Sequence, residues 1–185
     1  PAGVVDLTID VANDDVNIAI PENTTISSST VVKGETLEDK VITLANAANF
    51  TLPTTVTVKV GDRTLTPTTD YVYATPAGTI TFTASAGIAD GDIVITGTAA
   101  QETAVLTIAG TGFDTNSIVV KQGNTVVNPE RGELKYTLNK GAQYTITVTP
   151  TAVAGKVVTG VASTGVTASF TKDAGKESWT YGTLT

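Results

Sequence analysis

The chain has 185 residues and a mass of 18.9 kDa, room for one medium domain or two small ones. It holds no Cys and no His, which excludes disulfides, thiolate nucleophiles and zinc–thiolate sites, and removes the usual neutral-pH general base and the commonest metal ligand. A net charge of −7 with no cluster of Lys and Arg argues against nucleic acid as a partner, and no apolar run approaches the roughly 20 residues of a membrane span.

What the composition favours is strand. The chain carries 37 Thr and 23 Val, β-branched residues that suit a pleated surface. At 41% hydrophobic with a mean hydropathy of +0.15, it has enough apolar surface for a core. An all-β protein is expected.

The N-terminal forty residues form a separate electrostatic object. They hold eight acids (Asp6, Asp10, Asp14, Asp15, Glu22, Glu35, Glu38, Asp39) and two bases (Lys33, Lys40), so they carry −6 of the total. Strand-like pieces at residues 4–11 and 16–20 are split by Ala12-Asn13-Asp14-Asp15. This segment, residues 1–40, either completes the first module or serves as an arm that docks on a partner. The chain opens on Pro1 and has no Met, and no basic, apolar leader is visible. The expectation is a trimmed initiator Met and no export by a standard signal route. Two N-x-S/T sequences occur, Asn23-Thr24-Thr25 and Asn49-Phe50-Thr51, as chance readily places them in a Thr-rich chain.

Residues 34–44 carry the only helix-like pattern, with Glu35 and Asp39 flanking Leu37, Val41 and Leu44. The Val-Ile-Thr-Leu end reads better as strand.

From residue 41 the chain repeats itself. Val56-Thr57-Val58-Lys59-Val60-Gly61-Asp62-Arg63-Thr64-Leu65-Thr66-Pro67 aligns with Ile118-Val119-Val120-Lys121-Gln122-Gly123-Asn124-Thr125-Val126-Val127-Asn128-Pro129. Upstream, Val41-Ile42-Thr43-Leu44-Ala45 and Phe50 match Val105-Leu106-Thr107-Ile108-Ala109 and Phe113. Downstream, Ile93-Val94-Ile95-Thr96-Gly97 is matched to Val157-Val158-Thr159-Gly160. In each copy, alternating Val and polar residues mark a half-buried strand. Gly61-Asp62 and Gly123-Asn124 signal two-residue hairpin turns. Pro67 and Pro129 belong at strand ends. Thr79-Ile80-Thr81-Phe82 and Tyr144-Thr145-Ile146-Thr147-Val148 alternate again, and residues 87–92 turn the chain into a strand at residues 93–96. The expected organisation is residues 41–100 as one β module and 101–185 as a second, with short strands of the kind found in sandwiches.

Each candidate site has a plainer alternative. Asp10, Asp14 and Asp15, with Asn13, offer oxygen ligands for Ca²⁺. Their spacing fits no EF-hand loop, and a turn with solvated side chains is the simpler reading. Asp90-Gly91-Asp92 reads as a turn. Ser85, Ser117 and Ser163 lack a His to activate them, and no Ser-x-x-Lys occurs. Glu130 and Glu133 flank Arg131-Gly132 in one polar loop, whereas a glycosidase needs two carboxylates facing across a cleft. No cofactor, no metal and no catalysis is therefore expected. Trp179 and Tyr181 alternate onto one strand face, where they either close the second core or, if exposed, stack on a glycan or anchor a protein partner.

The run Val58-Lys59-Val60-Gly61, Leu65-Thr66-Pro67-Thr68-Thr69-Asp70-Tyr71, Gly78-Thr79-Ile80-Thr81-Phe82, Gly87 and Asp90-Gly91-Asp92-Ile93 resembles a small bacterial immunoglobulin-like module. Such modules occur in tailed-phage virion proteins (head decoration, fibre and tail) and in bacterial surface proteins, including accessory modules of secreted carbohydrate-active enzymes. The resemblance covers residues 56–97. The second copy departs from it, with Glu133-Leu134-Lys135-Tyr136 in place of Asp-Tyr and Gly155-Lys156 in place of Gly-Asp. It implies tandem immunoglobulin-like β-sandwiches and a non-enzymatic virion surface protein, docking on capsid or tail proteins or on its own copies. The alternative it leaves is an extracellular adhesion module touching a glycan or protein. A strand-and-turn pattern specifies fold more than function.

Overall fold

The computed structural model describes residues 16–161 and 170–184. The chain is all-β, and its strands divide between two units, the first running to Ala100 and the second starting at Gln101. In chain order the strands are β1 (Ile18–Ala19), β2 (Thr24–Ser29), β3 (Val41–Asn46), β4 (Phe50–Thr51), β5 (Thr57–Val60), β6 (Arg63–Thr64), β7 (Tyr71–Ala74), β8 (Thr79–Phe82) and β9 (Ile93–Thr96). β10 (Ala100–Gln101) spans the boundary. The second unit holds β11 (Thr103–Thr107), β12 (Val119–Gln122), β13 (Thr125–Val127), β14 (Lys135–Asn139), β15 (Tyr144–Val148), β16 (Thr171–Lys172) and β17 (Trp179–Leu184).

In the first unit the Val/Thr alternation does what period 2 requires. Val58 and Val60 of β5 are fully buried, while Thr57 and Lys59 between them are exposed. β8 repeats this with buried Ile80 and Phe82. Two four-stranded sheets result, in the orders β1-β9-β5-β6 and β2-β3-β8-β7. Ile42, Leu44, Tyr71, Ile80 and Phe82 from one sheet meet Val58, Val60, Ile93 and Ile95 from the other in a single core, the two-layer arrangement of a sandwich. The described part of the acidic N-terminal segment is woven into this unit. β1 lies parallel to β9, with Ile18 opposite Ile93, and β2 lies antiparallel to β3. β1 and β2 are thus sheet strands of the first unit, and they cover edges that β9 and β3 would otherwise present. Residues 34–40 are turns and bridges, and Val41–Asn46 is strand.

The second unit repeats the central pairings of the first. β3–β8, β5–β6 and β5–β9 recur as β11–β14, β12–β13 and β12–β15, all antiparallel. Gly61 and Gly123 sit in the matching hairpin turns at φ of 53° and 57°. The third block of the sequence repeat does not hold. β15 takes the place of β9, and residues 157–160 form no strand, with Val157 85% exposed. Thr79–Phe82 and Tyr144–Val148 share a pattern but differ in partner, since β8 pairs with β3 and β15 with β12. The larger sheet runs β13-β12-β15-β17-β16, and β11 and β14 form a separate pair. Among the described residues, β2 and β7 have no counterpart in this unit.

Candidate functional site

The motif residues of the resemblance are occupied with holding the first unit together. The Asp70 carboxylate accepts from the Thr66 amide at 2.6 Å, and the Thr68 amide donates to the Tyr71 carbonyl at 2.7 Å. The Tyr71 ring is buried, and its hydroxyl donates to the Val56 carbonyl at 2.7 Å. Burial pushes the Tyr71 phenol above its ordinary pKa. The Arg63 guanidinium donates to the carbonyls of Ala86 and Ile88, both at 2.9 Å, and lies 3.4 Å from the Asp90 carboxylate. Asp92 offers its carbonyl to the Gly61 amide.

The other candidates of the sequence are placed as follows. Asp10, Asp14, Asp15, Asn13 and Ser163 lie outside the described residues. Ser85 sits in a short 3-10 turn, Ala84–Ala86. Ser117 ends another, where its hydroxyl donates to the Asp114 carbonyl at 2.6 Å and accepts from the Thr149 amide at 3.0 Å. Glu130 and Glu133 belong to one turn, joined by a backbone hydrogen bond, and Glu130 pairs with Lys135 at 3.4 Å. They do not face each other across a cleft. Tyr181 is 5% exposed and packs with Val120, Tyr136, Leu138, Tyr144 and Ile146, its ring 5.7 Å from that of Phe170. Its ring is therefore part of the core of the second unit. Trp179 stands on the same face of β17, half-buried, opposite Val148.

A shallow depression of about 420 Å³ on the second unit is lined by Lys121, Thr147, Asp173, Lys176, Ser178 and Thr180 among others. The Ser178 and Thr180 hydroxyls donate to the Asp173 carboxylate, and hold it, with help from Lys176, below the usual carboxylate range. Those hydroxyl bonds tie the turn between β16 and β17.

The site that sequence reasoning missed is the outer edge of β11. The Ile108 amide donates to the Leu134 carbonyl, and the Lys140 amide to the Glu102 carbonyl. Antiparallel alternation then turns the backbone groups of Thr103, Val105 and Thr107 away from β14. Among the described residues no strand meets them. In the first unit the matching edge is taken: Val41, the repeat partner of Val105, accepts from the Thr30 amide at 2.9 Å, and Thr43, the partner of Thr107, accepts from the Ser27 hydroxyl at 3.1 Å. The difference reaches the core. Ile42 and Leu44 are 0% and 2% exposed, whereas their counterparts Leu106 and Ile108 are only partly buried, and Val105 is 57% exposed. The signal was present in the spacing. The first unit has β1 and β2 ahead of β3, whereas only the two-residue β10 stands between β9 and β11, and it pairs with β4.

No family model matches the chain, and neither the curated proteins nor the solved structures contain a match.

Proposed function

We propose that this is a non-enzymatic structural protein built of two tandem immunoglobulin-like modules, and that it acts by docking onto other proteins. The observation that carries the reading is the outer edge of β11, which no strand meets among the described residues and which carries exposed Val105 and half-buried Leu106, in a chain without His or Cys. An unpaired strand edge over apolar side chains is a template for another chain. The setting follows from the resemblance of residues 56–97: the surface of a phage virion, as a capsid decoration or tail-associated protein contacting capsid or tail proteins. Docking of this kind needs no cofactor, and the net charge of −7 keeps the protein off nucleic acid. The test is co-sedimentation of the purified protein with bare particles, together with mass spectrometry of purified virions. Saturable binding and recovery of its peptides are expected; absence from both overturns the reading.

A second reading, an extracellular bacterial surface or adhesion module, draws on the depression lined by the hydroxyls of Thr147, Ser178 and Thr180 with Lys121 and Lys176, groups suited to a glycan. Binding on a glycan array that is lost in Lys121→Ala, with no binding to particles, would favour it.

A further inference from the structure

We propose that the open edge of β11 accepts residues 4–11 of a second copy of this chain as an added strand, which completes the second unit as β2 completes the first. This rests on the docking reading above and names both the acceptor and the donor.

The acceptor is incomplete by comparison with its own repeat. The same two positions that are closed in β3 (Ile42 and Leu44) are half-open in β11 (Leu106 and Ile108), and among the described residues the outward backbone groups of Val105 and Thr107 meet no counterpart of the partners that Val41 and Thr43 have. What is missing is a strand with one apolar face, long enough to span Thr103–Thr107.

Residues 4–11 have that pattern. Val5, Leu7, Ile9 and Val11 fall on one face of an extended chain, and Asp6, Thr8 and Asp10 on the other. Eight residues cover the five of β11 with room to spare. The apolar face would lie over Leu106 and Ile108, and the polar face would stand outward beside Val105. Charge points the same way. Residues 1–15 carry four acids and no base. Apart from those residues the first unit holds eight acids against four bases, and the second six acids against seven bases. An acidic strand is repelled by the first unit and tolerated by the second. Because each copy carries one donor and one acceptor, the exchange either closes reciprocally between two copies or propagates from copy to copy.

The chain has no native cysteine, so the pairing can be trapped directly. Thr8→Cys and Val105→Cys, made singly in the full chain, are mixed and oxidised. The expected product is a mixed disulfide dimer in several-fold excess over either variant alone, since both side chains lie on the outward face. Sedimentation velocity of the unmodified chain should show a mass that rises with concentration, and a Leu7→Glu/Ile9→Glu variant should stay monomeric with an unchanged circular dichroism spectrum. No excess of mixed dimer overturns the proposal. So does a crosslink that forms only when both cysteines are in one chain at high dilution, which would assign the strand to its own second unit. Co-sedimentation separates this from the broader reading. If the Leu7→Glu/Ile9→Glu variant still binds bare particles while the unmodified chain never self-associates, docking stands and this inference falls. If the unmodified chain self-associates but never binds particles, strand exchange stands and the virion setting falls.

Discussion

Gly91 lies so close to Gly61 that a Cβ built on Gly91 would stand 2.8 Å from the Gly61 Cα and 3.1 Å from its nitrogen. The hairpin turn of β5 and β6 is packed backbone to backbone against the turn that leads into β9, and the Gly61 amide donates to the Asp92 carbonyl at 2.8 Å. Gly123, in the equivalent turn of the second unit, has no atom within 4 Å of its would-be Cβ. Gly91→Ala should therefore cost about 1–3 kcal/mol through backbone overlap. Gly123→Ala should cost about 1 kcal/mol, through its positive φ alone. Urea melts of the two variants check the order; a larger loss for Gly123→Ala would contradict the contact.

Ile42 and Leu106 are repeat partners with unequal burial. Ile42→Ala should cost about 2–5 kcal/mol, the range for a fully enclosed aliphatic side chain. Leu106→Ala should cost less than about 2 kcal/mol in the dilute monomer, since part of that side chain still faces water. At concentrations where copies associate, the cost of Leu106→Ala should grow, and that of Ile42→Ala should not. Chemical denaturation at two protein concentrations reads both.

Tyr71→Phe removes the donor to the Val56 carbonyl but keeps the ring. It should lose about 1–3 kcal/mol, because the buried acceptor is left unpaired. The phenols of Tyr71 and Tyr136 are both raised by burial, so the folded state holds their protons more tightly than the unfolded chain does. Their contribution is fully present below a pH of about 10 and is lost as pH rises from there through the folded-state values. Asp173 has the opposite sign. Its lowered pKa stabilises the β16–β17 turn above the ordinary carboxylate range, and that contribution is lost as pH falls below it. Thermal melts from pH 8 to 11 should show a falling midpoint, with a shallower fall in Tyr71→Phe.

Thr68 is a β-branched residue held at a φ of 66°, between Pro67 and the Asp70 side chain that caps Thr66. A branched Cβ is strained in that conformation. Thr68→Gly should stabilise the first unit by up to about 1 kcal/mol, the strain relieved exceeding the added chain entropy. A raised midpoint in urea at constant m-value is the expected reading.

Local structure was legible wherever it depends on neighbours in sequence. The alternation of Val58 and Val60 with Thr57 and Lys59 became a strand with its Val face dry, and both Gly-led dipeptides became positive-φ turns, because period and turn chemistry are properties of a few consecutive residues. Partner choice was not legible. Tyr144–Val148 carries the same pattern as Thr79–Phe82, and nothing within five residues says that one joins β12 and the other β3. The apolar pair Val157-Val158 looked like the counterpart of Ile93-Val94 for the same reason. The face of β17 that turns inward is likewise set by pairing, with Tyr181 opposite Ile146 and Trp179 opposite Val148. As for the candidate site, the apolar residues of β11 were read in the repeat, but their incompleteness shows only when the strand beside each copy is known.

The parallel run of β1 beside β9 has a mechanical meaning. Ile18 and Ala19 point the same way as Ile93 and Val94, and the Ile93 amide is also bonded to the Asn17 carbonyl at 2.9 Å. Tension that enters ahead of residue 18 and leaves beyond residue 96 pulls these strands along each other instead of peeling them apart. The backbone bonds between them then bear load together, not one after another. The first unit is thus clamped in shear at the point where pull on the chain would reach it.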